Sequence, residues 1–574
     1  MKTILDIRFN GKLNEDITPL FNKISYQKRS DFNEFISLIS RPHIKNLDWW
    51  VEGPASRNTY SSPLFHYYCS FFLLMYLTEH KDFLFDEILI DSSSFAVIIK
   101  ELFTSLNIKN CKVSLESSYK SQLKRYVKKH FLIFILLFQK CFQMIVARII
   151  SPIKIPKKPL VLIDTFLMPG NVDEDRWYGV FWDNLSDAQK LETFFIPTLL
   201  LTKLKDVLPL FKEANLNVRN YIFKESFLKF EDLIFAFRHN NRIKKIIFND
   251  IELLGFNFSK LIQYELNNNS DIKAVLESIL TYRFIDRFKQ KGYKVRLSID
   301  WFEGQCLDKA WNMGFKKYFP LTKVIGYRPT ESFPFYLSSY PTLFEQEAKV
   351  IPDVIAIQGR GTEITVKEFM PKLDTILIPS FKSNYVWSFE RHELSQSKNK
   401  ILVALPISEK HSQFIIDRVI KAVSLMSKQN YITNFIIKPH PAQSLNKVMM
   451  GFDKLPRYMS FTKEKSFKKL LSSSTLLITE ASSTCLETLA CGIPVIMMEN
   501  QSGLTYDSIP ERVSEKMYKK VRSPLQLLKA MEYFNNSNFE NNKLIIAESK
   551  KVRKDYFEPI TQEGINRFID LDCK

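Results

Sequence analysis

Short apolar runs alternate with helical segments along most of this chain, and that alternation limits what its 574 residues can fold into. The segments between the runs, such as residues 411–429, place apolar side chains at helical spacing. Buried strands separated by helices are typical of parallel sheets with helical crossovers. The strand-like runs are residues 87–91, 160–164, 244–250, 294–300, 323–327, 353–359, 375–380, 401–406, 434–439, 475–479 and 494–498. The sequence therefore predicts an α/β fold.

A weakly patterned segment, residues 385–397, marks the expected boundary between two domains. We predict that residues 1–390 form an N-terminal α/β domain, with a helical elaboration over residues 1–150. Residues 398–545 have the regular pattern of a compact Rossmann-like domain. Residues 546–574 follow as a last helical segment.

The chain carries 81 Lys and Arg against 62 Asp and Glu, a formal net charge of +19 at pH 7. Such an excess favours anionic partners: nucleic acid, phospholipid head groups or phosphorylated small molecules. The lysines are spread along the chain, and no zinc-finger, helix-turn-helix or RNA-recognition signature is present. We therefore expect no nucleic-acid partner, and the charge leaves lipid and small-molecule anions open.

Cysteine spacing and the first residues bear on the cellular compartment. The seven cysteines are scattered and form no CxxC pair: Cys69, Cys111, Cys141, Cys306, Cys485, Cys491 and Cys573. This pattern argues against a disulfide framework and a zinc site, and it is typical of a reducing cytoplasm. Asp6 and Arg8 stand where a signal peptide needs an apolar core. We expect a cytoplasmic protein that is either free or peripheral on the inner face of the cell membrane.

Residues 130–150 are strongly apolar and are flanked by lysines and arginines. A helix that spans the bilayer needs about 20 apolar residues, and the central Lys140 would cost it roughly 3 kcal/mol. An interfacial helix that lies on an anionic membrane surface fits the pattern, and so does a buried core helix with basic ends. Both interpretations remain open from the sequence.

The strand-like run 435–437 leads into Lys438 and His440, each of which is followed by a proline. Proline fixes its own φ and biases the residue before it towards extended geometry, so both side chains are presented with little freedom. Ligands of open parallel sheets collect at the carboxyl ends of the strands. Lys438 and His440 are therefore candidate ligands of an anion, and the alternative is an ordinary surface loop.

A second strand end, in TLLITEASSTCLETLACGIPVIMM at residues 475–498, carries serine and threonine. Thr484 and Glu487 have the T-x-x-E spacing of a capping box, which predicts that a helix begins directly after Ser482 and Ser483. Free backbone N–H groups and hydroxyls at a helix start suit a phosphate. The alternative is that the serines only cap the helix and that Glu487 does nothing else.

The motifs IIKPHP and TEASSTCLETLACGIPVI together resemble the C-terminal nucleotide-sugar domain of GT-B glycosyltransferases that build bacterial surface polysaccharides. The chain is most similar to the group that contains bacterial sialyltransferases, capsule Kdo transferases and CDP-glycerol glycerophosphotransferases. The resemblance is best over residues 395–500 and weaker over residues 295–380. It implies a GT-B-like fold, in which two Rossmann-like domains face a central cleft and a C-terminal tail crosses back to the N-terminal domain.

The resemblance also implies roles for individual residues. Enzymes of this group hold the donor with the HP and serine-rich motifs, and an acidic D/E-D/E-G motif supplies the catalytic base. Glu303 in DWFEG is the nearest match to that base, although Phe302 replaces the second acid. Asp300 is the first alternative, and the acidic loop 173–175 is the next. The candidate donor-binding residues are Lys438, His440, Glu480, Ser482, Ser483, Thr484 and Glu487.

The expected function is transfer of a sugar from a nucleotide-activated donor to a growing surface glycan or glycolipid, as in capsule or lipopolysaccharide synthesis. A CMP-linked donor of the sialic-acid or Kdo type is favoured, and neither a metal ion nor a cofactor is expected. A CDP-polyol phosphotransferase of the same fold is the nearest alternative. An alternative of another class is a non-catalytic basic protein that binds a membrane surface or nucleic acid, which the net charge of +19 motivates.

Overall fold

Three parallel sheets organise the protein in the computed structural model. The structure describes residues 3–80, 84–116, 119–150, 155–173, 175–200, 202–268, 271–389, 400–426, 434–441, 443–450, 452, 454–464, 466–536 and 543–570, with the side chains of 119–130 and 536 excepted. Within these ranges every strand pair of the three sheets is parallel. One short antiparallel hairpin lies apart from them.

The N-terminal unit combines helices with a small parallel sheet. Its elements are β1 (Ile4–Asp6), α1 (Thr18–Gln27), α2 (Arg29–Ser40), α3 (Leu47–Trp50), α4 (Gly53–Ser56), α5 (Leu64–Glu79), β2 (Glu87–Ile90), α6 (Ser93–Ser105), β3 (Lys112–Leu115) and α7 (Tyr119–Ile150). The strands lie in the order β1-β2-β3. The core is rich in aromatic rings, among them Trp49, Phe65, Tyr68 and Phe71. The expected helical elaboration therefore also contains a sheet.

The first large domain is built on a six-stranded sheet. Its elements are β4 (Leu160–Leu167), α8 (Asp187–Glu192), β5 (Thr193–Leu199), α9 (Leu204–Leu216), α10 (Phe230–Phe237), α11 (His239–Ile243), β6 (Glu252–Leu253), β7 (Phe256–Asn257), α12 (Ser259–Asn267), α13 (Ile272–Gln290), β8 (Val295–Trp301), α14 (Cys306–Tyr318), β9 (Lys323–Arg328), α15 (Leu343–Glu347), β10 (Val354–Ile357), α16 (Arg360–Val366) and β11 (Thr375–Leu377). The order β11-β10-β9-β8-β4-β5 changes direction between β4 and β8. Both of these inner strands are almost fully buried, as expected for a sheet covered on both faces.

The C-terminal domain is a second six-stranded α/β unit. Its elements, with the tail, are β12 (Lys400–Ala404), α17 (Glu409–Ser424), β13 (Asn434–Lys438), α18 (Leu445–Met449), β14 (Met459–Phe461), α19 (Phe467–Ser472), β15 (Leu476–Thr479), α20 (Thr484–Ala490), β16 (Val495–Met498), β17 (Tyr518–Val521), α21 (Pro524–Asn536), α22 (Lys543–Tyr556) and α23 (Gln562–Ile569). The order β14-β13-β12-β15-β16-β17 is that of dinucleotide-binding sheets, and it changes direction between β12 and β15. The two large sheets confirm the predicted α/β class with two Rossmann-like domains.

The chain passes between the two large domains at neighbouring points. On the way out, Phe381 belongs to the core of the first large domain and Val386 to that of the C-terminal domain. On the way back, Phe568 of α23 is fully buried in the core of the first large domain. The Ser380 N–H donates to the Glu558 carbonyl at 2.9 Å, so the two crossings lie side by side.

The set of predicted strands needs correction at two places. The prediction of a strand at residues 244–250 is wrong: Ile246 and Phe248 are buried against the N-terminal unit, but no described strand pairs with this segment. The sequence pattern also misses β5, whose apolar run is interrupted by Pro197. Strand β5 is the last strand in the order of its sheet, and on its outer side it makes a single bridge, from Phe195 to Tyr221. A proline such as Pro197 is tolerated on an edge strand of this kind.

Candidate functional site

Each large sheet changes direction once, and the loops at these points carry polar side chains. The loops follow β4 and β8 in the first large domain, and β12 and β15 in the C-terminal domain. Ligands of open parallel sheets bind at such switch points because the loops diverge there and leave a crevice. The candidate site therefore lies at the carboxyl ends of these four strands and of β13, which neighbours β12.

Lys438 ends β13, and His440 follows it; both are half-buried. The Lys438 ammonium donates to the Glu464 carbonyl at 3.1 Å, and the His440 backbone N–H donates to the Gln443 side chain at 3.3 Å. Desolvation, and then the charge of Arg176, lower the pKa of His440 to about 4. The imidazole is therefore neutral at pH 7, and it meets an anion as a hydrogen-bond donor and not as a cation.

Arg176 comes from the loop after β4 and brings a positive charge to the same place. Its charge lowers the pKa of both Lys438 and His440, in addition to the larger effect of desolvation. Burial lowers the pKa of Arg176 itself. Among the described residues its guanidinium has no hydrogen bond or ion pair, and it lies 5.9 Å from the centroid of the Trp177 ring. Sequence reasoning missed this residue because nothing in its loop indicates which strand end it approaches.

The serine-rich segment lies at the end of β15, which is separated from β13 by β12 in the sheet. Helix α20 begins there, but the predicted capping box is wrong, because the N-cap is Ser483 and its side chain accepts no capping hydrogen bond. The Thr484 hydroxyl instead donates to Ser482 Oγ at 2.9 Å. The Ser482 N–H donates to Ser508 Oγ at 3.1 Å. The half-buried hydroxyls of Ser482 and Thr484 therefore stand together at this strand end.

Glu487 has a role in joining the domains. It is 8% exposed, and it accepts a hydrogen bond from the Tyr385 hydroxyl. Tyr385 lies in the segment through which the chain enters the C-terminal domain. Glu487 therefore holds the domain crossing in place, and this contact gives it a structural role other than capping.

Glu480 follows β15 directly and pairs with His411 near the start of α17. The His411 Nδ1 lies 2.9 Å from the carboxylate, which raises the pKa of this histidine. Ser408, the N-cap of α17, accepts the His411 backbone N–H at 3.3 Å. The pair spans the switch point between β12 and β15. Sequence reasoning named Glu480 but missed His411, whose one local signal is the Ser408 cap three residues earlier.

Glu303 lies at the switch point of the first large domain, directly after β8. Its carboxylate accepts hydrogen bonds from the Trp301 indole at 3.0 Å and from the Gln305 amide at 2.6 Å. The next residue, Gly304, has φ +70°, and a Cβ there would lie 1.7 Å from the Ser338 carbonyl oxygen, so the turn requires glycine. The turn and the two donors hold the carboxylate in one place, as a positioned base requires.

Tyr60 of the N-terminal unit connects the two halves of the site. Its ring centroid lies 4.3 Å from that of Tyr506 and 5.2 Å from that of Tyr336. Although 53% of the Tyr60 surface is exposed, desolvation and then Tyr506 raise its pKa well above the usual value. The carboxylates of Glu480 and Glu303 add to this rise, so both lie within electrostatic range of one hydroxyl. The Tyr336 hydroxyl accepts from the Gln305 amide, which also donates to Glu303, so Tyr60 lies between the Glu303 turn and the loop that carries Tyr506.

Asp300, the first alternative base, does not reach the cleft. It is fully buried, and one of its oxygens accepts from the Asn312 amide at 2.6 Å. Burial, together with the neighbouring Asp308 and Asp164, raises the pKa of Asp300 well above its usual value. Burial in the core of the first large domain therefore favours the protonated form of Asp300.

The acidic loop 173–175 is the remaining alternative. Asp175 forms an ion pair with Arg219 at 3.0 Å, and Asp173 accepts from the Asn217 amide at 3.1 Å. Glu174 lies outside the described residues. The two described carboxylates organise the loop that carries Arg176, and of the candidate bases Glu303 is the one next to the end of β8 at the switch point.

A cavity of about 470 Å³ adjoins the serine-rich segment. Ser508, which accepts from the Ser482 N–H, forms part of its lining, as do Tyr26 and Arg29 of the N-terminal unit. Arg29 is held by an ion pair with Glu368 at 2.6 Å. A cavity of this size with aromatic and charged walls is suited to a small polar ligand.

Neither a protein-family model nor a curated protein sequence matches the chain. Among solved structures, the UDP-GlcNAc 2-epimerase of Methanocaldococcus jannaschii is 11% identical, with 72% of this chain and 99% of that chain covered and a TM-score of 0.42. The α,α-trehalose 6-phosphate synthase of Burkholderia multivorans is 8% identical, with 73% and 96% covered and a TM-score of 0.41. A glycosyltransferase of Rickettsia africae is 10% identical, with 72% and 97% covered and a TM-score of 0.40. These similarities concern the fold alone.

Proposed function

We propose that this protein is a glycosyltransferase that moves a sugar from a nucleotide-activated donor to a growing surface glycan or glycolipid. The observation that carries the proposal is that the loop at the switch point of the first large domain approaches the end of β13, which neighbours the switch point of the C-terminal domain. Arg176 approaches from the first large domain, and Lys438 and His440 approach from the C-terminal domain. Three nitrogen-bearing side chains thus lie within electrostatic range of one another, where they could hold a donor phosphate, and Glu303 lies just after β8, the neighbouring strand of the first large domain.

In the donor half of the site, the phosphate is held by both charge and hydrogen bonds. Arg176 and Lys438 supply positive charge, and the neutral imidazole of His440 supplies an N–H. These groups stabilise the negative charge that develops on the nucleotide as it leaves. The hydroxyls of Ser482 and Thr484 at the end of β15 extend the polar surface available to the nucleotide.

In the acceptor half, Glu303 acts as the general base. Its carboxylate takes the proton of an acceptor hydroxyl while the acceptor oxygen forms a bond to the anomeric carbon of the donor sugar. The bond from that carbon to the phosphate oxygen breaks, and its electron pair leaves with the nucleotide. The hydrogen bonds from Trp301 and Gln305 keep the carboxylate aimed during this step.

A CMP-linked donor of the sialic-acid or Kdo type is the version we favour, and the HP and serine-rich motifs support that choice. The test is a thermal-shift panel with CMP, CDP, UDP and GDP on the wild type and on His440→Ala. We expect CMP to raise the midpoint of unfolding of the wild type more than the other nucleotides do, and to act less on the variant. The proposal is rejected if none of the four nucleotides binds.

A CDP-polyol phosphotransferase is the second candidate, because the cations around Lys438 are equally suited to the diphosphate of such a donor. Release of CMP from CDP-glycerol, with transfer of the polyol phosphate, would establish this reaction. Release of CMP from a CMP-sugar would establish the first one. A non-catalytic polyanion-binding protein would instead show nucleotide affinity that fades steeply with salt and no turnover.

A further inference from the structure

Helix α7 contains a stretch, Phe131–Ile150, that is long and apolar enough to cross a membrane by length and composition. Its packing shows that it lies along the first large domain. Lys140, in the middle of the stretch, is buried, and its ammonium pairs with Glu277 at 2.5 Å and with Glu225 at 3.1 Å. Removal of the helix would leave both buried carboxylates without this partner, at a large cost in free energy. We therefore treat α7 as a surface helix.

The outward face of α7 is an apolar stripe. Large apolar side chains recur at intervals of three, four and seven residues, which places them on one side of a helix. The stripe consists of Phe131, Phe134, Phe138, Ile145 and Ile149, which are 64%, 67%, 60%, 56% and 75% exposed. The opposite side of the helix is buried, as Met144 and Ala147 show. Water therefore meets the most apolar face of this helix.

Two neighbouring helices widen the stripe. Helix α9 exposes Leu204 and Leu208, and helix α10 exposes Phe230 and Ile234. Hydrogen bonds tie α7 to the start of each of these helices: the Gln139 amide donates to the Thr202 carbonyl at 3.2 Å, and the Arg148 guanidinium donates to the Leu228 carbonyl at 2.7 Å. The exposed side chains of α7, α9 and α10 form one surface, which we call the α7 surface. Large exposed apolar side chains that gather on one surface, as these nine do, mark an interaction site.

The sequence around the α7 surface is basic. Residues 119–163 contain ten Lys and Arg and no Asp or Glu, within a chain of net charge +19. Among the described residues, Lys157 and Lys158 after α7, Lys203 before α9 and Lys229 before α10 are exposed. An apolar strip with cations around it complements a bilayer with anionic head groups, in which apolar side chains enter the acyl boundary and lysines meet phosphate.

We propose that the α7 surface docks this protein on an anionic lipid bilayer. A second copy of the chain is a poorer occupant, because a symmetric contact would bring the same basic segment against itself. This proposal does not depend on the proposed transferase activity. For a transferase with a lipid-linked acceptor, it would place the enzyme in the plane of its substrate.

The test is co-sedimentation of the full chain with vesicles made of equal parts of phosphatidylcholine and phosphatidylglycerol, and with vesicles of phosphatidylcholine alone. The variant is Phe134→Ser/Phe138→Ser. The matched control is Leu525→Ser, which alters a residue of α21 in the C-terminal domain that is 52% exposed. Circular dichroism and thermal unfolding verify that each protein is folded, and size-exclusion chromatography with light scattering gives its oligomeric state.

We expect the wild type and Leu525→Ser to bind the anionic vesicles and not the neutral ones. The double variant should bind at least about tenfold more weakly, because two exposed aromatic rings no longer enter the bilayer. The proposal is overturned if folded wild-type protein ignores anionic vesicles, or if the double variant and the control bind alike. It is also overturned if the double variant changes a dimer into a monomer without altering vesicle binding.

Discussion

Tyr60 stacks on Tyr506 with a centroid distance of 4.3 Å and an interplanar angle of 18°, although the first belongs to the N-terminal unit and the second to the C-terminal domain. The Tyr506 hydroxyl also donates to Thr59 Oγ at 3.1 Å. Leu13 adds a backbone contact, since its N–H donates to the Ser502 carbonyl at 3.2 Å. The loop after β16 is therefore attached to the N-terminal unit beside the cleft.

The two rings should contribute to stability as a coupled pair. In a double-mutant cycle, Tyr60→Ala and Tyr506→Ala should show a coupling of about 0.5–1.5 kcal/mol in the free energy of unfolding, measured with urea. The control cycle pairs Tyr60→Ala with Tyr533→Ala, whose ring contacts Phe534 and Lys519 instead. The changes in the free energy of unfolding caused by that second pair of substitutions should be additive. Additivity of the stacked pair would show that the contact contributes nothing.

His440→Ala should weaken nucleotide binding at pH 7 by about 0.5–1.5 kcal/mol, the range for a hydrogen bond with a neutral donor. In the free protein, desolvation and Arg176 lower the pKa of His440 to about 4. A bound phosphate raises that pKa, so the affinity of the wild type should increase as the pH falls from neutral towards 4. Calorimetry across this pH range should show that the affinity of His440→Ala lacks this increase.

The control for that experiment is His80→Ala, because His80 is exposed at the end of α5 and belongs to no part of the site. It should match the wild type in both affinity and pH dependence.

A Ser482→Ala/Ser483→Ala double change should also weaken binding, by about 0.5–1.5 kcal/mol for each lost hydrogen bond. Unchanged nucleotide affinity in both site variants would show that the donor does not bind at the ends of β13 and β15.

Glu303→Gln should lower turnover by roughly 10²–10⁴-fold and leave nucleotide affinity nearly intact, because a base acts on the transition state and not on the donor. Glutamine keeps one acceptor oxygen, so it can still accept from either Trp301 or Gln305, and the turn at Gly304 should still fold. The comparison variant is Asp300→Asn, which resembles the protonated acid that burial favours at that position. If Asp300→Asn lost turnover and Glu303→Gln kept it, the role of base would pass to Asp300.

The stability of the protein should depend on pH through His239. Asp48 and Glu52 lie 2.6 and 2.7 Å from its two ring nitrogens. Desolvation lowers its pKa, but the two carboxylates outweigh that effect and raise it to about 9. A raised pKa means that the stabilisation is complete below the unfolded value, near 6.5, and is lost as the pH rises through about 9.

The measurement is urea unfolding of the wild type and of His239→Gln at a series of pH values. The difference in free energy of unfolding between the two proteins should shrink by about 2–3 kcal/mol from pH 6.5 to above pH 9. A difference that stays constant over this range would mean that His239 does not titrate in the folded protein as its neighbours require.

The tail helix α23 should stabilise the first large domain. Phe568→Ala should lower the free energy of unfolding by about 3–5 kcal/mol, because its fully buried ring would leave a cavity among Phe181, Tyr327 and Phe381. Arg567→Ala, one residue earlier on the exposed side, should change it by about 0.5 kcal/mol or less. Truncation at about residue 545 should be more severe, and full activity in the truncated protein would contradict a role for the tail in domain closure.

The class of the fold could be predicted because a buried strand and a helical crossover are both local patterns. Lys438 and Glu480 could be placed at strand ends for the same reason, since each follows directly on an apolar run. Arg176 could not, because its loop has no local pattern and only tertiary folding brings it to the cleft. The capping box failed because Tyr385, a residue distant in sequence, binds the glutamate on which it depended.

The side-by-side crossings at Ser380 and Glu558 have the geometry of a hinge between the two large domains. Two chain segments that pass through one place allow rotation about that place and resist sliding of one domain over the other. A change of a few degrees in the backbone at such a pivot becomes a displacement of ångströms at the far end of each domain. Rotation at this pivot would change the width of the cleft without rearrangement within either sheet, and it would have to separate the Tyr60–Tyr506 stack that ties the two sides together.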